Sequence, residues 1–211
     1  MEIKGIKINF LGDSITEGCG VTPETVYHAV LSRNEGCISR NYGVGGSCFA
    51  REISEEEAAG WPPCYFDRID SMDPDTDLIV VFGGVNDYGH GSAPIGNKDD
   101  RTPYAFYGAC HCIINALLDK FPGKPIVFMT PVHYQAEALK NRHDQIFKRY
   151  VNIIREVCDD YAIPVCDIYA NSGIIPALES QRPIYIPDGV HPNALGHEVI
   201  ASRLAGFLRS I

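Results

Sequence analysis

Leu78-Ile79-Val80-Val81-Phe82, running into Gly83-Gly84-Val85-Asn86-Asp87, is the stretch that decides the fold. Five apolar residues without a polar interruption predict a strand covered on both faces, the pattern of a parallel sheet. Outward from this run, strand-like and helix-like segments alternate. Ile6 to Leu11 and Ile38 to Tyr42 read as strands before it, and Pro125 to Met129 and Pro164 to Ile168 as strands after it. Thr22-Pro23 marks a helix start, Thr as N-cap and Pro in the first turn, of a helix running to Glu35 and stopped by Gly36. Thr102-Pro103 marks another, with Phe106, Cys110, Ile113, Leu117 and Phe121 at helical spacing. Ile146, Tyr150, Ile153, Val157 and Tyr161 mark a third. A last helix starts near Asn193 and carries Ile200, Leu204, Phe207, Leu208 and Ile211 on one face. This order predicts the α/β class: a parallel sheet with right-handed crossovers and helices on both faces.

The 211 residues, 45% of them hydrophobic, suffice for one domain spanning 1–211 with a full core. A formal net charge of -9 argues against a nucleic-acid partner. Lys140, Arg142, Lys148, Arg149 and Arg155 therefore read as the solvated face of one helix. No apolar run is long enough to span a bilayer, so no membrane partner is expected. The eight cysteines include no Cys-x-x-Cys and read mostly as small buried hydrophobes of a reducing, cytoplasmic setting, and no signal peptide is evident. Nothing in the sequence indicates an oligomeric state.

Ligands of open α/β sheets bind outside the carboxyl ends of the strands. Three polar signals fall there: Ser14 after the first strand, Gly46 after the second and Asn86 after the third. A serine hydroxyl needs an adjacent base to attack an ester at neutral pH. His191 is the candidate base, and Asp188, three residues earlier across Gly189, can orient its ring. Gly46 and Asn86, with the Ser14 backbone N–H, are the candidate oxyanion donors. Each piece alone has a plainer reading: Gly12-Asp13-Ser14 as a turn, Asp188 to His191 as a surface loop, Gly45-Gly46 as a flexible turn, Asn86-Asp87 as an Asx turn. Their convergence on one sheet edge favours acyl transfer.

His90 and His133 follow the third and fourth strands and are candidate substrate contacts. Trp61, beside Pro62-Pro63, is a candidate aromatic platform or a packing residue. His111 reads as a satisfied helix residue, and His143 and His197 as solvent-facing. No His-Glu-x-x-His or comparable set appears, so no metal or cofactor is expected.

With these residues in hand, the chain resembles the SGNH hydrolases, the GDSL esterase/lipase family. Gly12-Asp13-Ser14-Ile15-Thr16-Glu17-Gly18 is similar to block I, and Asn41, Gly43 and Gly46 to block II. Gly84-Val85-Asn86-Asp87 is similar to block III, and Asp188-Gly189-Val190-His191-Pro192 to block V. The resemblance implies a flavodoxin-like three-layer α/β/α fold with a five-stranded parallel sheet. It also implies Ser14 as nucleophile, His191 as base oriented by Asp188, Gly46 and Asn86 in the oxyanion hole, and no cofactor. Many members carry Asp directly after the block II glycine. Ser47 stands there in this chain, so the support of the oxyanion loop is left to be located.

The expected function is a serine esterase acting through an acyl-enzyme on a small-molecule ester. The loop from Tyr88 to Arg101 is polar and glycine-containing, which points to a small acyl group, acetyl foremost, on a polar alcohol such as a carbohydrate. The alternatives are a lipase or thioesterase, an acyltransferase with the same triad, and a non-catalytic flavodoxin-like binding module. A phosphate loop at Gly43-x-Gly45-Gly46 is disfavoured, because Cys48 occupies the third glycine position and no Walker lysine follows.

Overall fold

The computed structural model describes residues 1–211 apart from the side chains of Glu55 and Glu57. In chain order the elements are β1 (Lys7–Gly12), α1 (Ser14–Glu17), α2 (Tyr27–Glu35), β2 (Ile38–Gly43), α3 (Glu55–Ala58), α4 (Tyr65–Arg68), β3 (Leu78–Phe82) and α5 (Val85–Gly89). There follow α6 (Phe106–Lys120), β4 (Ile126–Met129), α7 (Phe147–Asp160), β5 (Val165–Cys166), α8 (Ile168–Asn171), α9 (Arg182–Tyr185) and α10 (Ala194–Ser210). The five strands form one sheet in the order β2-β1-β3-β4-β5, every pair parallel. This is the flavodoxin-like order, and it reverses direction between β1 and β3.

β3 shows why the sheet has two cores. Leu78, Val80 and Phe82 pack with Ile8, Phe10, Tyr27, Leu31, Ile200 and Leu204 on the α2/α10 face. Ile79 and Val81 pack with Phe106, Ile113, Tyr150 and Ile154 on the α6/α7 face. The uninterrupted apolar run is thus the period-2 alternation of a strand with a core on each side. The three layers expected from the sequence are those observed.

Several local expectations are corrected. The helix at Thr22 begins as a single 3-10 turn at Pro23–Thr25, and Val26 is extended (φ -65°, ψ 141°), so α2 starts only at Tyr27. Thr102 does not cap α6. That helix starts at Phe106, where the N–H groups of Phe106 and Tyr107 donate to the carbonyls of Pro94 and Ile95, 2.9 and 3.1 Å. The fifth strand shortens to Val165–Cys166 because α8 follows at once, its N–H at Ala170 capped by Asp167.

The five basic residues do not share a helix face. Lys140 and Arg142 precede α7, and Arg155 is half-buried, its Nη2 2.9 Å from Asp167 Oδ1. His197 is fully buried, not solvent-facing. Its Nδ1 accepts the Tyr27 N–H at 3.2 Å, so a side chain of α10 caps α2. His111 is buried and hydrogen-bonded as expected, its Nε2 3.0 Å from the Lys98 carbonyl. His143 is half-buried.

Candidate active site

The site lies at the carboxyl ends of β1 and β3, where the strand order reverses. β1 ends at Gly12, and a Cβ there would lie 1.9 Å from Thr16 Oγ1, so only glycine lets α1 fold back this closely. Asp13 caps α1, its Oδ1 accepting the Ile15 N–H at 3.0 Å. Ser14 is thereby held as the first residue of α1, 7% exposed.

Ser14 Oγ lies 2.9 Å from His191 Nε2, and His191 Nδ1 lies 2.7 Å from Asp188 Oδ2. With Nδ1–H donated to the carboxylate, Nε2 is the acceptor for the serine hydroxyl. The other carboxylate oxygen of Asp188 accepts the backbone N–H groups of Val190 and His191 at 2.9 and 2.7 Å. Burial pushes the Asp188 carboxyl up, but these backbone hydrogen bonds and the His191 ring outweigh it and hold its pKa below the ordinary 3.8. The Asp188 loop is fixed in turn by the segment after β4, through the Gln135 N–H donating to the Gly189 carbonyl at 3.0 Å.

The Gly45-Gly46 turn approaches from β2. A Cβ on Gly45 would stand 3.7 Å from Ser14 Cβ, and Gly46 has φ +78°. Asn86, in α5, donates one amide hydrogen to the Ser47 carbonyl at 2.9 Å and keeps the second free in valence terms for another acceptor. Ser47 itself answers the question of loop support. Fully buried, it donates to the Val44 carbonyl at 2.8 Å and accepts from Arg68 Nη2 at 2.9 Å. Arg68 also donates to the carbonyls of Gly12 and Tyr42, tying β1, β2 and the loop together.

Three supporting residues escaped the sequence reading. Arg68 carries no local signal at all. Glu17 accepts the Gly45 N–H at 3.1 Å. Asp87 accepts the N–H groups of Phe49 and Ala50 at 2.9 and 2.8 Å. Burial raises the Asp87 pKa to about 7 despite those two hydrogen bonds, and raises that of Asp13 to about 6. Glu17 and Asp87 were visible inside the quoted motifs, but only their folded partners reveal what they hold.

Two cavities include residues of the site in their walls, one Gly46 and the other Asp188. One, of about 320 Å³, is lined by Gly46, Cys48, Arg51, Trp61, Pro62 and Asp67 among others. The second, of about 410 Å³, is lined by Tyr134, Leu139, Asp188 and Val190 among others. Trp61 is 46% exposed and stacks on His90, ring centroids 3.9 Å apart and 6° from parallel, at the rim of the first. His133 lines neither: its Nδ1 is 2.9 Å from the Glu137 carboxylate and its ring stacks on Tyr169. The segment from Tyr88 to Arg101 is less open than its polarity suggested. Tyr88 is buried, and its one hydroxyl hydrogen is shared between the carbonyls of Ala136 and Leu139, 2.9 and 2.8 Å away.

A serine, an imidazole and a carboxylate in one hydrogen-bonded chain, beside a glycine turn and an amide, can form and resolve an acyl-enzyme. Solved structures share the fold. A solved structure from Lactobacillus plantarum is 31% identical, with a TM-score of 0.87, 99% of this chain and 98% of that one covered. A possible lipase from Chitinophaga pinensis is 22% identical with a TM-score of 0.72, covering 97% and 98%. An acetyl xylan esterase is 21% identical with a TM-score of 0.65, covering 95% and 98%. No curated protein matches the sequence. Residues 10–199 match the model of the GDSL-like Lipase/Acylhydrolase family, a span that runs from within β1 to within α10 and includes Ser14, Gly46, Asn86, Asp188 and His191. The chain belongs to that family, whose members are hydrolases acting on esters.

Proposed function

We propose that this chain is a serine esterase for small acyl groups, acetyl foremost, carried on a polar alcohol such as a carbohydrate. The observation that carries it is the continuous chain from Ser14 Oγ through His191 to Asp188, 2.9 and 2.7 Å long at its two links. Ser14 attacks the ester carbonyl as His191 Nε2 takes its proton, and Asp188 stabilises the imidazolium. The tetrahedral oxyanion is received by the N–H groups of Ser14 and Gly46 and the second amide hydrogen of Asn86. His191 then protonates the leaving alcohol. Water repeats the sequence on the acyl-enzyme, and the acid leaves.

The small-acyl preference rests on the cavity beside Gly46. Its 320 Å³ are at the low end for ligand pockets, and an Arg51–Asp67 ion pair lies in its wall. Exposed Trp61 at its rim offers a flat face to a sugar ring. The fold is shared with an acetyl xylan esterase, which makes the acetyl ester the first substrate to try. A cytoplasmic setting fits eight cysteines that are all unpaired, six of them buried. One observation favours a longer acyl chain: Leu139, 66% exposed, and Val190 line the second cavity beside Asp188.

Hydrolysis of p-nitrophenyl esters from acetate to palmitate, with Ser14→Ala as control, tests both points. A serine-dependent rate falling steeply beyond butyrate is expected, followed by release of acetate from acetylated sugars. A maximum at long chains would make the Leu139 cavity the acyl site and the protein a lipase or thioesterase. Turnover by Ser14→Ala within a few-fold of wild type would remove Ser14 from the mechanism. Fluorophosphonate labelling at Ser14 separates an enzyme of narrow specificity from a binding module, and competition of alcohols with water separates hydrolase from acyltransferase.

A further inference from the structure

Behind the Gly46 turn, two chain segments run side by side and are tied together. Asp87 accepts the N–H groups of Phe49 and Ala50. The Ile53 N–H donates to Ser92 Oγ at 3.0 Å, and the Ser92 N–H donates to Glu52 Oε2 at 2.9 Å. The first segment carries Cys48 and Glu52, and the second carries His90 at the end of α5. One ligand atom from each of Cys48, Glu52 and His90 falls within 4.8 Å of the others.

All three side chains are held in place, and His90 among them is not satisfied. Among the described residues, neither ring nitrogen of His90 has a hydrogen-bond partner, although both are buried. Trp61 stacked on the imidazole fixes the plane of the ring. Glu52 is oriented by Ser92, which donates to Oε2 from both its N–H and its hydroxyl. That leaves Oε1 directed to Cys48 Sγ, 3.8 Å away. Two buried nitrogens without partners are a cost that a bound group would relieve.

We propose that Cys48, Glu52 and His90 form a divalent-metal site of the zinc type, clamping the 48–53 segment to α5 behind the oxyanion turn. The donor set of one thiolate, one imidazole and one carboxylate suits zinc rather than magnesium or calcium. Zinc–ligand bonds of about 2.0–2.3 Å in a tetrahedron place neighbouring ligand atoms about 3.3–3.6 Å apart. Separations of up to 4.8 Å need roughly an ångström of closure, within reach of side-chain torsions on segments already tied together. Charge also fits. A zinc ion, a Cys48 thiolate and a Glu52 carboxylate sum to zero, which suits a half-buried location. On binding, the Cys48 thiol gives its proton to solvent as the Sγ–metal bond forms, and His90 binds neutral. Cys48 and Glu52 also line the cavity beside Gly46, so solvent there could supply the fourth ligand. Sequence spacing hides such a site, because Cys48 and His90 lie far apart in the chain and no metal motif joins them.

The test is titration of chelator-treated protein with Co²⁺ and then Zn²⁺. A thiolate-to-cobalt charge-transfer band should saturate at one equivalent and be displaced by zinc, with a rise in Tm on zinc addition. Cys48→Ser should abolish the band, and His90→Gln should weaken binding at least tenfold. Cys64→Ser, in the same cavity wall, and Cys19→Ser, on the surface, should leave both unchanged. Lack of stoichiometric binding by the wild type overturns the proposal, as does a band that survives Cys48→Ser. Should the site variants not fold, zinc K-edge absorption on the loaded wild type decides. One sulfur among nitrogen and oxygen scatterers supports the assignment, and any other sulfur count removes it.

Discussion

Asn86 spends one amide hydrogen on the Ser47 carbonyl, and the proposed mechanism assigns the other to the oxyanion, so the two roles must be separated experimentally. Loss of one preorganised oxyanion donor costs about 2.7–4 kcal/mol in the transition state. Asn86→Ala should therefore lower kcat on p-nitrophenyl acetate about 10²–10³-fold, with a much smaller change in KM. Ser47→Ala removes the hydroxyl that links Val44 to Arg68 but leaves the Ser47 carbonyl in place. It should lower kcat less than tenfold and lower Tm instead. Equal kcat losses in the two variants would mean that Asn86 only supports the loop. At this scale the sequence was most legible, since Ser14, Gly46, Asn86, Asp188 and His191 each sit in a short motif at a chain turn. Arg68 was invisible because its three acceptors come from two strands and a loop that only folding brings together.

The elements carry a lesson about polarity read in place of position. His197 precedes Ile200 by three residues and Ala201 by four, which puts it on the buried stripe of α10. Read as a polar residue, it was assigned to solvent. In the fold it supplies the N-terminal cap that Val26 cannot give α2, and its ring lies parallel to that of Tyr27 at 6.2 Å. His197→Ala strands a buried N–H and opens a cavity between α2 and α10. The expected loss is about 3 kcal/mol, the cap alone being worth about 1 kcal/mol. Urea melts should show a lower midpoint with an unchanged slope, and an effect below about 1 kcal/mol would mean that water replaces the ring as cap. The start of α6 was misplaced for a related reason. Its first N–H groups are satisfied by carbonyls of residues 94 and 95, a long-range arrangement that local capping rules do not contain.

Across the whole molecule, the layers followed from the alternation of apolar runs, because each crossover must pack a helix onto a sheet face. What the sequence concealed is a set of buried ionisable groups with opposed effects on stability. Burial raises Asp13 to about 6 and Asp87 to about 7, whereas it lowers His28 and His197 to about 4. Nearby charge on His28 and His191 pushes His197 the same way. An acid whose folded pKa is raised contributes stability that is full below about pH 4 and is lost as pH rises through its folded pKa. A histidine whose folded pKa is depressed contributes stability that is full above about pH 6.5 and is lost as pH falls toward 4. The two pairs act in the same window with opposite sign, each group worth a few kcal/mol at about 1.4 kcal/mol per pKa unit. Burial depresses His90 and His111 as well, so the histidines outweigh the two acids and wild-type stability should rise between about pH 4.5 and 6.5. Asp13→Asn keeps the cap on the Ile15 N–H and removes one acid. Its stability should match wild type below about pH 4, exceed it progressively from there, and level off just above pH 6 with a gain of about 3 kcal/mol. His197→Gln keeps an acceptor for the Tyr27 N–H and should show the reverse trend, its deficit against wild type shrinking as pH falls from 6.5 to 4. Urea melts at four pH values across this range would reveal both slopes. Parallel curves for wild type and Asp13→Asn would show that Asp13 titrates in the folded protein as it does in the unfolded chain.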